Sequence, residues 1–147
     1  MCAEQYEFTC KDLNPRFLFT CFQKRTEEEQ NYHAHDFIEI AVILKGKGRF
    51  CIDGKEQKVE EGTMLILNPG TYHRSIPEQG GGTTEFYIAF SGVEFKNCRP
   101  GYMPLFPGEK IILQMPEKMK RDIFKLCMNM TKEWENTNPG RYFMLKA

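Results

Sequence analysis

The three histidines of this chain lie in two short stretches and are the residues best suited to chemistry. His33 and His35 precede Glu39, and His73 follows a turn signal at 68–70. Residues two apart on a β-strand face the same way, so His33, His35 and Glu39 are predicted to share one face. The turn can bring His73 alongside on another strand. Such a set can hold a divalent transition metal (Zn, Fe, Mn, Ni or Cu) with one position open, or can contact an organic ligand directly.

Glu39 is harder to place than the histidines. On a straight strand it would lie about 13 Å from His35, at ~3.3 Å per residue. It would share a metal with His35 only if the strand bends, as barrel strands do. Otherwise Glu39 would form an ion pair with a neighbouring Lys or Arg, or would anchor an organic ligand.

The elements that must position these residues are short strands separated by turns, which is typical of an all-β sandwich or barrel. Strands are predicted over 16–22, 37–45, 49–52, 55–59, 63–67, 72–76 and 85–90, with a short last strand at 111–113. Gly46-Lys47-Gly48 and Asp53-Gly54 are predicted as turns. Glu27-Glu28-Glu29 is predicted as a solvated connection. Four further side chains could line the barrel or pack in its core: Phe37, Arg49, Tyr72 and Tyr87.

The C-terminal part of the chain changes from strand to helix character. An apolar stripe at helical spacing follows Pro116, which suits the first turn of a helix; the stripe is Met119, Ile123, Cys127, Met130 and Trp134. It could cover the apolar even-numbered face of the strand at 38–44, pair with a partner's helix, or do both. Asn138-Pro139-Gly140 predicts a second helix, with Asn138 as N-cap and Pro139 at its first position. This helix reaches only residue 147, from which we expect the chain to be part of a longer protein.

Composition excludes several classes of function. The 20 basic and 20 acidic residues leave a net charge of zero, so no part of the balance indicates nucleic-acid or membrane binding. The N-terminus lacks the features of a signal peptide and no apolar run could span a bilayer, which predicts a cytoplasmic protein. The six cysteines show no C-x-x-C pair and are predicted to be free thiols.

The two histidine stretches resemble the paired motifs of the cupin superfamily. The matching positions are His33, His35, Glu39 and Gly46 in the first motif and Gly62, Gly70 and His73 in the second, where Pro69 directly precedes Gly70. Asn68 stands where the family usually has a proline, and Pro77 where an asparagine often follows. The resemblance implies a double-stranded β-helix (jelly-roll) barrel, with one or two C-terminal helices packed outside.

The order of segments narrows the resemblance further. The chain resembles the N-terminal effector-binding half of AraC-type bacterial transcription regulators in its order of segments: an arm at 1–15, a barrel at 16–114 and a helical segment at 115–147. The amino-acid sequences at 33–40 and 67–74 also resemble that family. The resemblance implies a barrel that binds a sugar or related metabolite without catalysis. It also implies a homodimer through the C-terminal helices, and DNA binding by two helix-turn-helix units in a further domain. The expected ligand contacts are His33, His35, Glu39 and His73.

The alternative is a stand-alone metal-dependent cupin enzyme, an oxygenase, isomerase or epimerase. The same four residues would then be the metal ligands, and the metal would polarise the substrate or bind oxygen.

Overall fold

A computed structural model describes residues 15–146, so residues 1–14, which hold nearly all of the predicted arm, and residue 147 lie outside the described part. Seven strands are followed by two helices: β1 (Arg16–Arg25), β2 (Ile38–Ile52), β3 (Lys55–Glu60), β4 (Thr63–Leu67), β5 (His73–Pro77), β6 (Thr83–Ser91), β7 (Ile112–Gln114), α1 (Glu117–Glu135) and α2 (Arg141–Lys146). The four described cysteines, Cys21, Cys51, Cys98 and Cys127, are free thiols. Within residues 15–146, no helix is long and apolar enough to cross a membrane.

Strand β2 organises the sheet because it pairs with four other strands, all antiparallel. Its first half pairs with β4 and β6, and its second half, from Lys47 to Ile52, pairs with β3 and β5. The pairing with β6 shifts register between Ile43 and Lys45. With β1 beside β6 and β7 beside β4, the strand order is β1-β6-β2-β4-β7. This curled antiparallel sheet is the cupin-type double-stranded β-helix that the two motifs predicted.

The predicted turn at Gly46-Lys47-Gly48 is wrong, because β2 runs through it without reversing. Gly46 has a φ of +84°, and a Cβ atom there would lie 2.1 Å from the carbonyl oxygen of Gly82. The glycine therefore serves a close approach of two backbones, not a hairpin. In a sequence, a pair of glycines at a hairpin turn cannot be distinguished from a pair at a close backbone contact. Only the arrangement of the strands shows which of the two is present.

The register shift changes which side chains of β2 face the barrel interior. Ala41 and Ile43 face inward before the shift, and Phe50 and Ile52 face inward after it. They form one buried cluster whose remaining members are Val59, Leu65, Leu67 and Tyr87. The middle of the barrel is therefore packed, and polar sites are confined to its ends and walls.

Helix α1 covers the outer face of the sheet, as predicted. Val42 and Phe86 on the sheet and Cys127 on the helix are buried together, and Ile123 and Met130 pack against them. Further along the helix, the ring of Trp134 meets that of Phe17 on β1, with centroids 5.5 Å apart. Met119, the first member of the predicted stripe, is exposed.

The second predicted helix is present as α2, but its predicted beginning is wrong. The helix begins at Arg141, so Asn138 and Pro139 precede it, and the Arg141 N–H donates to the carbonyl oxygen of Asn138. Arg141 also lies over the ring of Trp134 with its guanidinium carbon 5.2 Å from the centroid, which joins α2 to α1.

Candidate functional site

The chain between β1 and β2 delivers two of the histidines to β5. The N–H of His33 donates to the carbonyl oxygen of His73 at 3.2 Å, and the N–H of His73 donates back to His33 at 2.8 Å. The N–H of Gly70 donates to the carbonyl oxygen of His35 at 2.9 Å. The connecting segment thus lies antiparallel to the start of β5, which places all three imidazoles together as the sequence predicted.

The three imidazoles form one compact cluster. The ring centroids are 4.7 Å apart for His33 and His35, 4.6 Å for His33 and His73, and 5.4 Å for His35 and His73. One nitrogen of each ring lies within 4.8 Å of the others. His73 is only 3% exposed, whereas His33 and His35 are partly exposed to solvent.

Glu39 completes the cluster, although its reach was uncertain from spacing alone. It is a buried carboxylate at the start of β2, with Oε1 3.3 Å from Nε2 of His73 and Oε2 3.7 Å from Nε2 of His35. His33 and His35 precede β2, and the backbone bends at Asp36 and Phe37. The bend, rather than one shared strand face, folds His35 back over Glu39.

Local hydrogen bonds orient two of the rings. Nδ1 of His33 lies 2.8 Å from the carbonyl oxygen of Asn31, and Nδ1 of His73 lies 2.9 Å from that of Thr71. A carbonyl oxygen only accepts, so each Nδ1 carries a proton, and Nε2 has a free lone pair when the ring is neutral. Among the described residues, Nε2 of His73 is a buried polar atom without a hydrogen-bond partner. His35 is held differently, by a stack on the ring of Phe37.

The environment shifts two of the histidine pKa values in opposite directions. Burial lowers the pKa of His73, but the Glu39 carboxylate and the Thr71 carbonyl raise it more, and the net direction is upward. Burial is also the largest influence on His35, where it outweighs Glu39 and moves the pKa downward. At the same pH, His73 is therefore more readily protonated than His35.

The donor set fits a divalent transition metal. Three imidazole nitrogens and one carboxylate are ligands that Zn, Fe, Mn and Ni accept. The buried Nε2 atom of His73, which has no hydrogen bond among the described residues, is the specific observation in favour of such an ion or of a polar ligand group in its place. Carbonyl partners on Nδ1 of His33 and His73 are the outer contacts that metal-binding histidines usually have.

A second polar cluster lies in the barrel wall around Glu85, a residue the sequence analysis did not single out. Its side chain is fully buried and accepts hydrogen bonds from Ser75, from Thr83 at 2.6 Å and from Tyr87 at 2.5 Å, while Arg25 Nε donates at 3.2 Å. Burial, and then the adjacent carboxylate, raise the pKa of Tyr87 well above its usual range. A glutamate at an inward position of an apolar strand was the only signal in the sequence.

The prediction for Glu27-Glu28-Glu29 is wrong at its last residue. Oε1 of Glu29 lies 3.7 Å from Arg25, and Oε2 accepts a hydrogen bond from the N–H of Ser75 at 3.0 Å. Glu29 also lies 4.0 Å from Nδ1 of His33. A charged run does not reveal which member contacts a partly buried cation such as Arg25, so Glu29 was predicted to be solvated.

The other side chains considered for the pocket divide between inside and outside. Tyr87 belongs to the buried interior and Phe37 contacts the histidine cluster. Tyr72 is 52% exposed and packs on Tyr32, with ring centroids 5.5 Å apart. Arg49 is half exposed, pairs with Glu56 and lines the cavity at the other end of the barrel.

A cavity of about 1060 Å³ opens at the end of the barrel opposite the histidines. The pairing of β2 with β5 runs from Ile52 and His73 at one end to Gly48 and Pro77 at the other, and the cavity is lined at that second end. Its floor is apolar, with Val59, Ile76 and Ile112, and its rim carries charges of both signs. The packed interior separates this cavity from the histidine cluster.

Comparison with known proteins gives a family match over most of the chain. The model for the AraC-like ligand binding domain matches residues 18–142. Acireductone dioxygenase of Schizosaccharomyces pombe is 38% identical over 61 residues, which cover 38% of this chain and 32% of that protein. The chain thus spans about a third of the length of the curated relatives it matches.

Solved cupin structures resemble the chain at low identity. A cupin protein from Bacteroides fragilis is 22% identical, with a TM-score of 0.46 over 57% of this chain and 70% of that one. An RmlC-like cupin with a double-stranded β-helix fold, from Methanocaldococcus jannaschii, is 14% identical, with a TM-score of 0.41 over 60% of this chain and 91% of that one.

Proposed function

Because this chain belongs to the family of AraC-like ligand binding domains, we propose that it is the effector-sensing and dimerisation domain of a bacterial AraC-type transcription regulator. Its effector is a sugar or a related metabolite that binds at the histidine cluster and is not chemically changed. The observation that carries the proposal is the buried Nε2 atom of His73, which has no hydrogen bond among the described residues and lies beside a buried carboxylate and two partly exposed imidazoles.

The polarity of the cluster supports a ligand rich in hydrogen-bond donors. Both oxygens of Glu39 are acceptors, and so are Nε2 of His33 and Nε2 of His73 when the rings are neutral, because the Nδ1 protons of both rings are committed to carbonyl oxygens. Buried acceptors are costly without donors. The hydroxyl groups of a sugar supply them, whereas a carboxylate ligand would be repelled by Glu39 unless a metal ion lay between them.

Calorimetry against a panel of neutral sugars, polyols and carboxylate metabolites tests the proposal. We expect a neutral polyhydroxylated compound to bind the wild-type chain and to lose at least tenfold in affinity in His73→Ala, a loss of about 1.4 kcal/mol. Arg49→Met, which removes an exposed side chain outside the cluster, is the control and retains binding. Absence of any binder, or equal binding by His73→Ala, contradicts the proposal.

The C-terminal helices are the dimerisation surface in this proposal. Met119 and Leu126 on α1 are 36% and 51% exposed and lie one heptad apart on the same side of the helix, and Met144 on α2 is 65% exposed. In this proposal these apolar side chains belong to one interface patch. In sedimentation, Leu126→Glu is expected to shift a dimer towards monomer, while Lys125→Glu, the neighbouring exposed position, leaves it unchanged. A wild-type chain that stays monomeric at all concentrations contradicts this assignment for the 147-residue chain.

The remaining parts of the proposal concern the domain arrangement. The segments are an arm at 1–15, a barrel at 16–114 and a helical segment at 115–147, and DNA binding belongs to a further domain with two helix-turn-helix units. The net charge of zero supports this division, since a DNA-binding surface needs a basic surplus. In a gel-shift assay, the isolated chain is therefore expected not to bind DNA.

A metal-dependent cupin enzyme is the second candidate function. The observation in its favour is that the donor set of the cluster fits a metal ion, together with the partial match to acireductone dioxygenase. In that case His33, His35, His73 and Glu39 hold the metal, which supplies Lewis-acid or oxygen chemistry. Elemental analysis of protein purified without chelator decides: about one equivalent of one transition metal, lost in His33→Ala, favours the enzyme.

A further inference from the structure

The three histidines of the cluster are not held in the same way. His33 and His73 each donate from Nδ1 to the backbone carbonyl two residues earlier in the chain. The equivalent carbonyl for His35 is that of His33, and it already accepts the N–H of His73. Among the described residues, no hydrogen bond to either ring nitrogen of His35 is present, so another contact must set the plane of this ring.

That contact is a parallel stack with Phe37. The two rings lie 4.4 Å apart at their centroids with an interplanar angle of 11°. Phe37 is itself held edge-on by Phe19 of β1, at 5.7 Å and 86°. The terminal torsion of a histidine side chain is broad and roughly two-fold, so a flat neighbour can select one orientation where no hydrogen bond does.

We propose that Phe37 is the positioning residue of His35. The stack fixes the plane of the imidazole so that Nε2 faces Oε2 of Glu39, 3.7 Å away, and joins the nitrogens of the other two rings. Phe37 belongs to neither of the two buried clusters of the barrel. Its place in the fold is therefore at the site and not in the core. The proposal deepens the proposed function, on which it rests only for the role of the histidine cluster.

A comparison of three variants at Phe37 tests the proposal. Phe37→Leu keeps an apolar side chain but removes the flat ring, whereas Phe37→Tyr and Phe37→Trp keep a ring that can stack. Phe17→Leu is the matched control, because Phe17 is another partly buried phenylalanine with an aromatic neighbour, Trp134, away from the site. Melting temperatures establish that all four variants fold.

The first readout is the proton NMR signal of the His35 ring in chelator-treated protein without any ligand. A ring stacked on an aromatic face is shielded, so the His35 signals are expected upfield of free histidine. Loss of the ring current moves these signals downfield in Phe37→Leu whatever the role of Phe37, so the diagnostic signal is the nuclear Overhauser contact between the rings of His35 and His33, whose centroids lie 4.7 Å apart. This contact is expected to weaken, and the His35 signals to broaden, in Phe37→Leu, and both are expected to stay as in the wild type in Phe37→Tyr, Phe37→Trp and Phe17→Leu. A merely structural role of Phe37 would lower the melting temperature and leave this contact unchanged.

The second readout is binding of Co²⁺ alone, followed by titration calorimetry. Loss of an outer contact that orients a metal-binding histidine costs about tenfold in affinity, and this is the loss expected in Phe37→Leu. A contact between the His35 and His33 rings that persists unchanged in Phe37→Leu overturns the proposal, and so does Co²⁺ binding by Phe37→Leu as tight as that of a wild-type chain that binds the ion. Failure of the sugar panel does not, because neither readout uses an effector.

Discussion

Glu39 and His73 meet at the start of two strands that are far apart in the sequence, with Oε1 3.3 Å from Nε2. This contact joins the first histidine stretch to the second, since Glu39 also reaches His35. Both Glu39 and His73 are almost fully buried, so water screens the interaction between them only weakly. The protonation state of His73 therefore depends on its partner.

Glu39→Gln is expected to lower the pKa of His73. Burial alone lowers this pKa, and the carboxylate is a main cause of its net rise. The raised pKa stabilises the fold below about pH 6.5, and this contribution is lost as pH rises through the folded-state pKa. NMR titration of the His73 ring protons, after chelator treatment, measures the change, with Glu56→Gln at an exposed ion pair as control. An unchanged or higher pKa would show that Glu39 does not act on His73.

Gly46→Ala is expected to destabilise the chain far more than Gly54→Ala. Both glycines have positive φ, which costs a side chain about 1–2 kcal/mol. Only at Gly46 would the new Cβ also meet a backbone atom, at 2.1 Å, whereas Gly54 has open space around it. Urea unfolding should show a loss of about 3 kcal/mol or more for Gly46→Ala and about 1 kcal/mol for Gly54→Ala. Equal losses would mean that β2 and the backbone at Gly82 are not in close contact.

Arg25→Met is expected to cost about 3–5 kcal/mol, because it leaves the fully buried carboxylate of Glu85 without its cation. Arg49→Met is the control, since its pair with Glu56 is about half exposed and such pairs contribute less than about 1 kcal/mol. Chemical unfolding of both variants measures the difference. If Arg25→Met is as mild as Arg49→Met, the three hydroxyl donors alone satisfy Glu85.

Cys127 is expected to resist alkylation in the folded chain. Cys127 lies on the face of α1 that packs against the sheet, and its burial there raises the pKa of its thiol to about 12. At pH 8 only about 10⁻⁴ of this thiol is ionised, and the thiolate is the reactive form. Iodoacetamide labelling followed by peptide mass spectrometry should modify partly exposed Cys51 well before Cys127, and both at similar rates in urea. Rapid labelling of Cys127 in native protein would mean that α1 detaches readily from the sheet.

Features that repeat along the chain could be predicted from the sequence. Most of the strands, the apolar helical stripe with Ile123, Cys127 and Met130, and the cluster of all three histidines follow from periodicity and motif spacing, and the structure contains them. These properties are local, because the direction of a side chain depends on its own few residues of backbone. The family match over 18–142 agrees with the resemblance drawn from the motifs.

What only the tertiary structure decided depends on contacts between distant segments. The sequence predicted a turn at Gly46, whereas the structure places the backbone of Gly82 against it. Glu39 lies near His35 only because the backbone bends at Asp36 and Phe37. Two partners of Glu85 come from other strands, Arg25 from β1 and Ser75 from β5, and no spacing in the sequence indicates these two contacts. Such sites are held by packing between strands. The sequence contains their residues, but the distances between side chains from different strands are fixed only when the strands pack.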